Sequence, residues 1–206
     1  EFSWTIKCDT VRIMSTIPLP PAPGSDVYVS LALADSAVSL PGGHADELVD
    51  PMAATKWLVD HGLVPTGTVL LEYCQQRLTG LRVHLRELFA AAVEARAPRA
   101  DAVDALNSAL RQVPSAEMLE YTPELGFHRD SAHPLTQLVE HAMARISEDA
   151  AALLTGEDAP LLDTCQAPSC DRFFVRTHAR RRWCSTRCGD RVRAARAYER
   201  KRAAAL

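Results

Sequence analysis

The 206-residue chain has few aromatic residues: three Trp, four Tyr and five Phe, 6% of the total. Any core must therefore be filled mainly by Ala, Leu and Val. Long apolar runs are also missing. The longest stretches, around Val29–Leu33 and Leu88–Val93, fall far short of the ~18 residues that a membrane span needs. The start EFSWTIKCDTVRIMST has no extended apolar block behind a basic end, so no secretory signal is read there. No GxSxG, P-loop or dinucleotide fingerprint occurs. These absences lead to the expectation of a soluble, cytoplasmic chain that is not an enzyme and has no membrane partner.

What is present supports a folded protein. Hydrophobic residues make up 47% and charged residues 24%, close to globular averages. The net charge of −3 hides an asymmetry. Residues 1–164 hold 11 Lys and Arg against 23 Asp and Glu, a net of −12; residues 165–206 hold 12 against 3, a net of +9. An acidic body with a basic tail is the pattern of a nucleic-acid reader joined to a partner or sensor domain. Docking of the tail on the chain's own acidic body is the competing reading.

Residues 1–26 read as an extension or loose Pro-rich start. Met14 is the expected natural start, and Pro18, Pro20, Pro21 and Pro23 keep the chain extended. Val27–Val38 is apolar and fits either a strand or a helix. Asp50-Pro51 is a helix start, with a cap followed by proline at the first helical position. That helix runs through Trp57 and stops near Gly62. A second helix is expected from Thr66 or Thr68, with Val69, Leu70, Tyr73, Leu81, Leu85, Leu88, Phe89 and Val93 at threes and fours. Gly80 inside it suggests a bend or a close packing contact. A third helix opens at Asp101, carries Val103, Leu106, Ala109, Leu110 and Val113, and ends at Pro114. Met118–Thr122 and Leu125–Arg129 fit two short strands. A fourth helix starts around Ser131 and Pro134 and ends before Gly156-Glu157-Asp158. The body, residues 27–156, is thus mainly helical.

Four of the six cysteines lie in the last 42 residues: Cys165 and Cys170, then Cys184 and Cys188. Two close pairs separated by a short segment can converge four thiolates on one tetrahedral Zn²⁺. The metal would let a segment of this size fold with little core of its own. Disulfides are disfavoured in a reducing compartment. A surface role is favoured for His178, and burial in the core for Cys74. Arg172–Val175 and Arg181–Trp183 flank a polar stretch, as in a β-hairpin. A long Ala/Arg-rich helix follows the second pair. Residues 160–206 are therefore expected to form a treble-clef-like zinc finger, a short β-hairpin plus a C-terminal helix. Trp183, Phe173 and Phe174 would cover the metal.

Eleven of the twelve basic residues after Cys165 are arginine. Its planar fork grips phosphates and guanine edges in pairs. Arg193, Arg196 and Arg200 share one helix face, and Arg180, Arg181 and Arg182 precede the second cysteine pair. With Arg187 and Arg191 they form the candidate DNA-binding set. A protein- or RNA-interaction module is the alternative, with Tyr198 the candidate stacking residue. For the body, dimerisation or a small-molecule effector is compatible with the helices. Two polar groups, His128 with Asp130 and His133, and His84 with Glu87, show no nucleophile–base arrangement.

The run Arg181-Arg182-Trp183-Cys184-Ser185, with Cys188-Gly189-Asp190-Arg191 and the upstream Cys165 and Cys170, resembles the CGNR zinc finger over about Leu162–Arg202. The helical body resembles the ABATE domain found ahead of it, through Leu31-Ala32-Leu33, Trp57–Gly62, Leu81-Arg82 and Leu106-Asn107. The resemblance implies a stress-induced, DNA-binding transcription regulator that holds zinc and acts at the nucleoid. Asp190 stands where the motif has Asn, and is expected to cap the following helix. Only three residues separate Cys184 and Cys188, where many members have four.

Overall fold

The computed structural model describes residues 20–40, 43–112, 118–130 and 137–204. Met14, Pro18, Val113, Pro114, Ser131, His133 and Pro134, on which several expectations fall, lie outside the described residues. So does Cys8.

The apolar segment Val27–Val38 is both of its alternatives in turn. A short helix, α1 (Val29–Ala34), is followed by strand β1 (Ala37–Leu40), which pairs antiparallel with β2 (Gly43–Asp46). Helix α2 (Pro51–Asp60) starts as its sequence dictates, with the Asp50 carboxylate accepting from the Ala53 N–H at 2.8 Å. It closes with Gly62 at φ +64° and the Leu63 N–H bonded to the Leu58 carbonyl. A left-handed glycine after the last turn is a common helix stop.

The next helix, α3 (Glu72–Val93), begins later than its periodicity suggests. Gly67 takes φ +87° and Thr68 closes a turn onto Pro65, so the chain from Val69 to Leu71 is extended. Only Leu70 is buried there; Val69 and Tyr73 face solvent. Gly80 lies inside an unbroken α3 with open space where a Cβ would sit. It therefore marks neither a bend nor a close contact.

Helix α4 (Ala100–Gln112) buries Ala102, Leu106 and Ala109 and leaves Val103 at its margin. Strands β3 (Met118–Thr122) and β4 (Gly126–Asp130) form an antiparallel hairpin. Helix α5 (Leu138–Thr155) is nearly all apolar on its inner face. These helices close around Leu31, Leu33, Trp57, Leu58, Leu85, Phe89, Ile146 and Leu153. The corner after α3 is braced by Glu87, which accepts from Arg96 at 2.7 and 3.0 Å and from the Arg99 N–H. Those bonds draw the Glu87 carboxyl down to about 2. This gives Glu87 a structural role.

The core does not end with α5. Strand β5 (Leu162–Thr164) pairs antiparallel with β6 (Phe173–Val175), and Leu162, Phe173 and Val175 join the body's core. The hairpin therefore pairs 173–175 with 162–164. Arg181–Trp183, the partner expected from sequence, forms no strand.

The start is not loose from Pro20 onward. The Val175 N–H bonds to the Pro23 carbonyl, Arg172 donates to the Pro20 carbonyl, and Ala22 is buried. Gly24, at φ +92°, lies so close to Val175 that a Cβ would stand 2.7 Å from its methyl. The final helix, α6 (Thr186–Ala204), has 19 residues and spans about 28 Å.

Candidate metal centre

Successive side chains of a strand point to opposite faces, and β6 uses this to serve two cores. Phe173 meets Phe89 of α3 edge-on, with ring centroids 5.8 Å apart. Phe174 turns the other way and is fully buried with the four cysteines, Ala22, Ala167 and Val192. Phe173 thus does not cover the cysteines as expected; Phe174 does, with Trp183 packed at the edge.

Cys165 and Cys170 sit on the turn between β5 and β6. Cys184 precedes α6, and Cys188 lies in its first turn. The Ser185 hydroxyl accepts from the Cys188 N–H at 3.2 Å and so caps α6. Asp190 is already inside the helix and pairs with Arg193, so it is not the cap.

The four sulfurs are buried, and all lie within 4.8 Å of one another. The separations are 3.8 Å for Cys170–Cys184, 3.7 Å for Cys184–Cys188 and 3.8 Å for Cys188–Cys170. A tetrahedron with 2.3 Å zinc–sulfur arms has edges of about 3.8 Å. A disulfide would need about 2.05 Å, and all four thiols are free. Four thiolates this close need a cation among them. The donor set and spacing fit Zn²⁺, and four protein ligands close the site to water. Among the described residues no other His, Cys, Asp or Glu cluster has this convergence, and exposed His178 is not part of it.

The arginines around this centre divide by what they touch. Arg181 donates to the Trp183 and Cys184 carbonyls and lies over the Phe174 ring, wrapping the second knuckle. Arg191 donates to the Pro168 carbonyl at 2.8 Å. Arg193 lies over the Trp183 ring and pairs with Asp190. Gly189 makes room for this stack, because a Cβ there would meet Trp183 at 3.0 Å and Arg193 at 3.1 Å. Arg187, Arg180, Arg182, Arg196 and Arg200 are exposed. The last four form no ion pair among the described residues. Helix α6 makes no extended contact with the body's helices. Among the described residues, the helices of the acidic body therefore do not cover it.

The chain matches the model of ABATE, described as "Putative stress-induced transcription regulator", over residues 28–157. It belongs to the ABATE family. Residues 162–201 match the CGNR zinc finger. The ABATE body is thus followed by a zinc-binding finger, and both families are of regulator or zinc-finger type. No curated protein matches the chain. No described helix is long and apolar enough to cross a membrane.

Sequence reasoning missed what joins the finger to the ABATE body. Asp35, just after α1, accepts from Arg172 at 3.3 Å and from the Phe173 N–H at 2.9 Å. Burial pushes its carboxyl up to about 7, against the pull of Arg172, the Phe173 N–H and Arg86. Arg86 of α3 bonds the Ala34 carbonyl and both the carbonyl and carboxylate of Asp171. No local pattern in the sequence marks these residues.

Proposed function

We propose that the chain is a zinc-dependent, DNA-binding transcription regulator. The observation that carries this reading is a long arginine-rich helix, anchored through Cys188 and Val192 at the metal centre and, among the described residues, largely exposed from Arg193 onward. Arg180, Arg182, Arg187, Arg196 and Arg200 supply the exposed charge. Arg181, Arg191 and Arg193 contribute charge while holding the finger's shape. Phosphate contact with release of counterions dominates the affinity, and the ABATE body acts as sensor or dimerisation unit. The chain is not an enzyme in this reading, because its metal has four cysteine ligands and no open position. It acts in the cytoplasm, where the nucleoid is.

Duplex DNA is favoured over single-stranded RNA by the aromatics. Phe173 and Phe174 are buried, and Tyr198 alone is exposed on α6. Stacking on bases needs exposed rings.

The test is fluorescence anisotropy of the full zinc-loaded chain on labelled duplex at several salt concentrations. With six to eight phosphates neutralised, the log–log slope is expected at about −5 to −7. A slope near zero points to a protein-docking surface.

A further inference from the structure

A cleft of about 690 Å³ opens between α1, α2 and α5 of the ABATE body, and Arg172 of the finger forms part of its wall. This is the size of sites that hold drug-sized molecules. Three features define what would fit.

The first is spare negative charge. Of the carboxylates lining the cleft, Asp35 is matched by Arg172, Asp149 accepts from the Ser30 N–H, and Asp60 pairs with Lys56. Asp26 and Glu47 form no ion pair among the described residues. They outnumber Arg145, the one cation of the lining equally uncommitted. Glu47 is accessible, yet the protein around it raises its carboxyl; desolvation outweighs His61, Arg172 and the Trp57 N–H. A cation beside it would relieve that penalty.

The second feature is an incompletely satisfied donor. Trp57 is 4% exposed and lines the cleft, stacked on His61 at 4.0 Å. Its Nε1 is buried and directed at Glu47 without closing a hydrogen bond of ordinary geometry. A buried donor so loosely held is costly, and it leaves the Glu47 carboxylate free to take a second partner from the cleft.

The third is that the acidic groups are spread out. Among the described residues only the four cysteines converge as metal ligands. The carboxylates of the cleft are therefore dispersed around an extended volume, which suits an organic cation better than a bare ion.

We propose that this cleft binds a small organic cation, an amine or guanidinium. Its charge lies against Glu47 and Asp26, and its apolar part lies on Val29, Ala32 and Leu63. Arg172 is two residues past Cys170, so an occupant borders the segment that carries a zinc ligand. This rests on the sensor role given to the body above.

Isothermal titration of the full zinc-loaded chain tests it, with tyramine as probe and no DNA present. The uncharged 4-ethylphenol and the anionic 3-(4-hydroxyphenyl)propanoate share its ring and differ in charge. Tyramine is expected to bind saturably, and both analogues to bind about tenfold or more weakly. Glu47→Gln and Asp26→Asn should each weaken tyramine by about tenfold with an unchanged melting temperature. Glu199→Gln, on exposed α6, should leave binding intact. Absence of saturable tyramine binding, equal binding of the anion, or Glu47→Gln matching Glu199→Gln would overturn the assignment. DNA affinity is measured separately, so either reading can fail without the other.

Discussion

Asp35 and Arg172, 137 residues apart, form a buried ion pair at 3.3 Å with side chains 4% and 8% exposed. This pair joins the turn after α1 to the knuckle that carries two zinc ligands. Removing one member strands the other charge in the interior, which costs about 3–5 kcal/mol. Asp35→Ala and Arg172→Ala should each destabilise by that order in urea unfolding of the zinc-loaded chain. The double variant should lose clearly less than the sum, because neither charge is then left alone. Simple additivity would show that the two residues act separately.

The alternation of β6 separates two effects that are usually mixed. Phe173→Ala opens a cavity against Phe89 and should cost about 3–5 kcal/mol of stability while one zinc per chain is retained. Phe174→Ala removes the buried ring beside the cysteines and should lower zinc affinity in competition with a chromophoric chelator. Thermal melts and chelator titrations of the pair check this. Zinc affinity falling equally in both would contradict the division.

Exposed and bracing arginines should also differ. Arg196→Ala and Arg200→Ala remove charge that faces solvent. Each should reduce the salt slope of DNA binding by about 1 with unchanged melting temperature. Arg181→Ala should weaken DNA binding and lower the melting temperature as well, since Arg181 holds the Trp183 and Cys184 carbonyls.

Much of this was readable from local chemistry. Asp50-Pro51 and Gly62 fixed both ends of α2, because caps and left-handed glycines act within a few residues. The cysteine spacing announced the metal, because each ligand pair is a short turn. Helix α3 began later than expected because Gly67 in a left-handed turn overrode the periodicity of Val69 and Tyr73. The strand pairing of the finger was misread for a different reason. The partner of Phe173–Val175 lies before the first knuckle, and the body's core selects which face of β6 turns inward. The Asp35–Arg172 pair was invisible, since a lone Asp and a lone Arg carry no pattern until the fold brings them together. Ser185 was hidden by the familiar motif, which drew the helix start to Asp190 instead of the residue after Cys184.

The central claim is that zinc holds the cationic helix in a DNA-binding geometry. The most direct measurement compares anisotropy titrations of one labelled duplex, at one salt concentration, with the full chain zinc-loaded, stripped by chelator, and reloaded. The stripped chain should contain no zinc and bind about tenfold or more weakly, and one equivalent of zinc should restore both affinity and helicity. Equal DNA affinity in all three samples, with zinc content verified, would contradict the account.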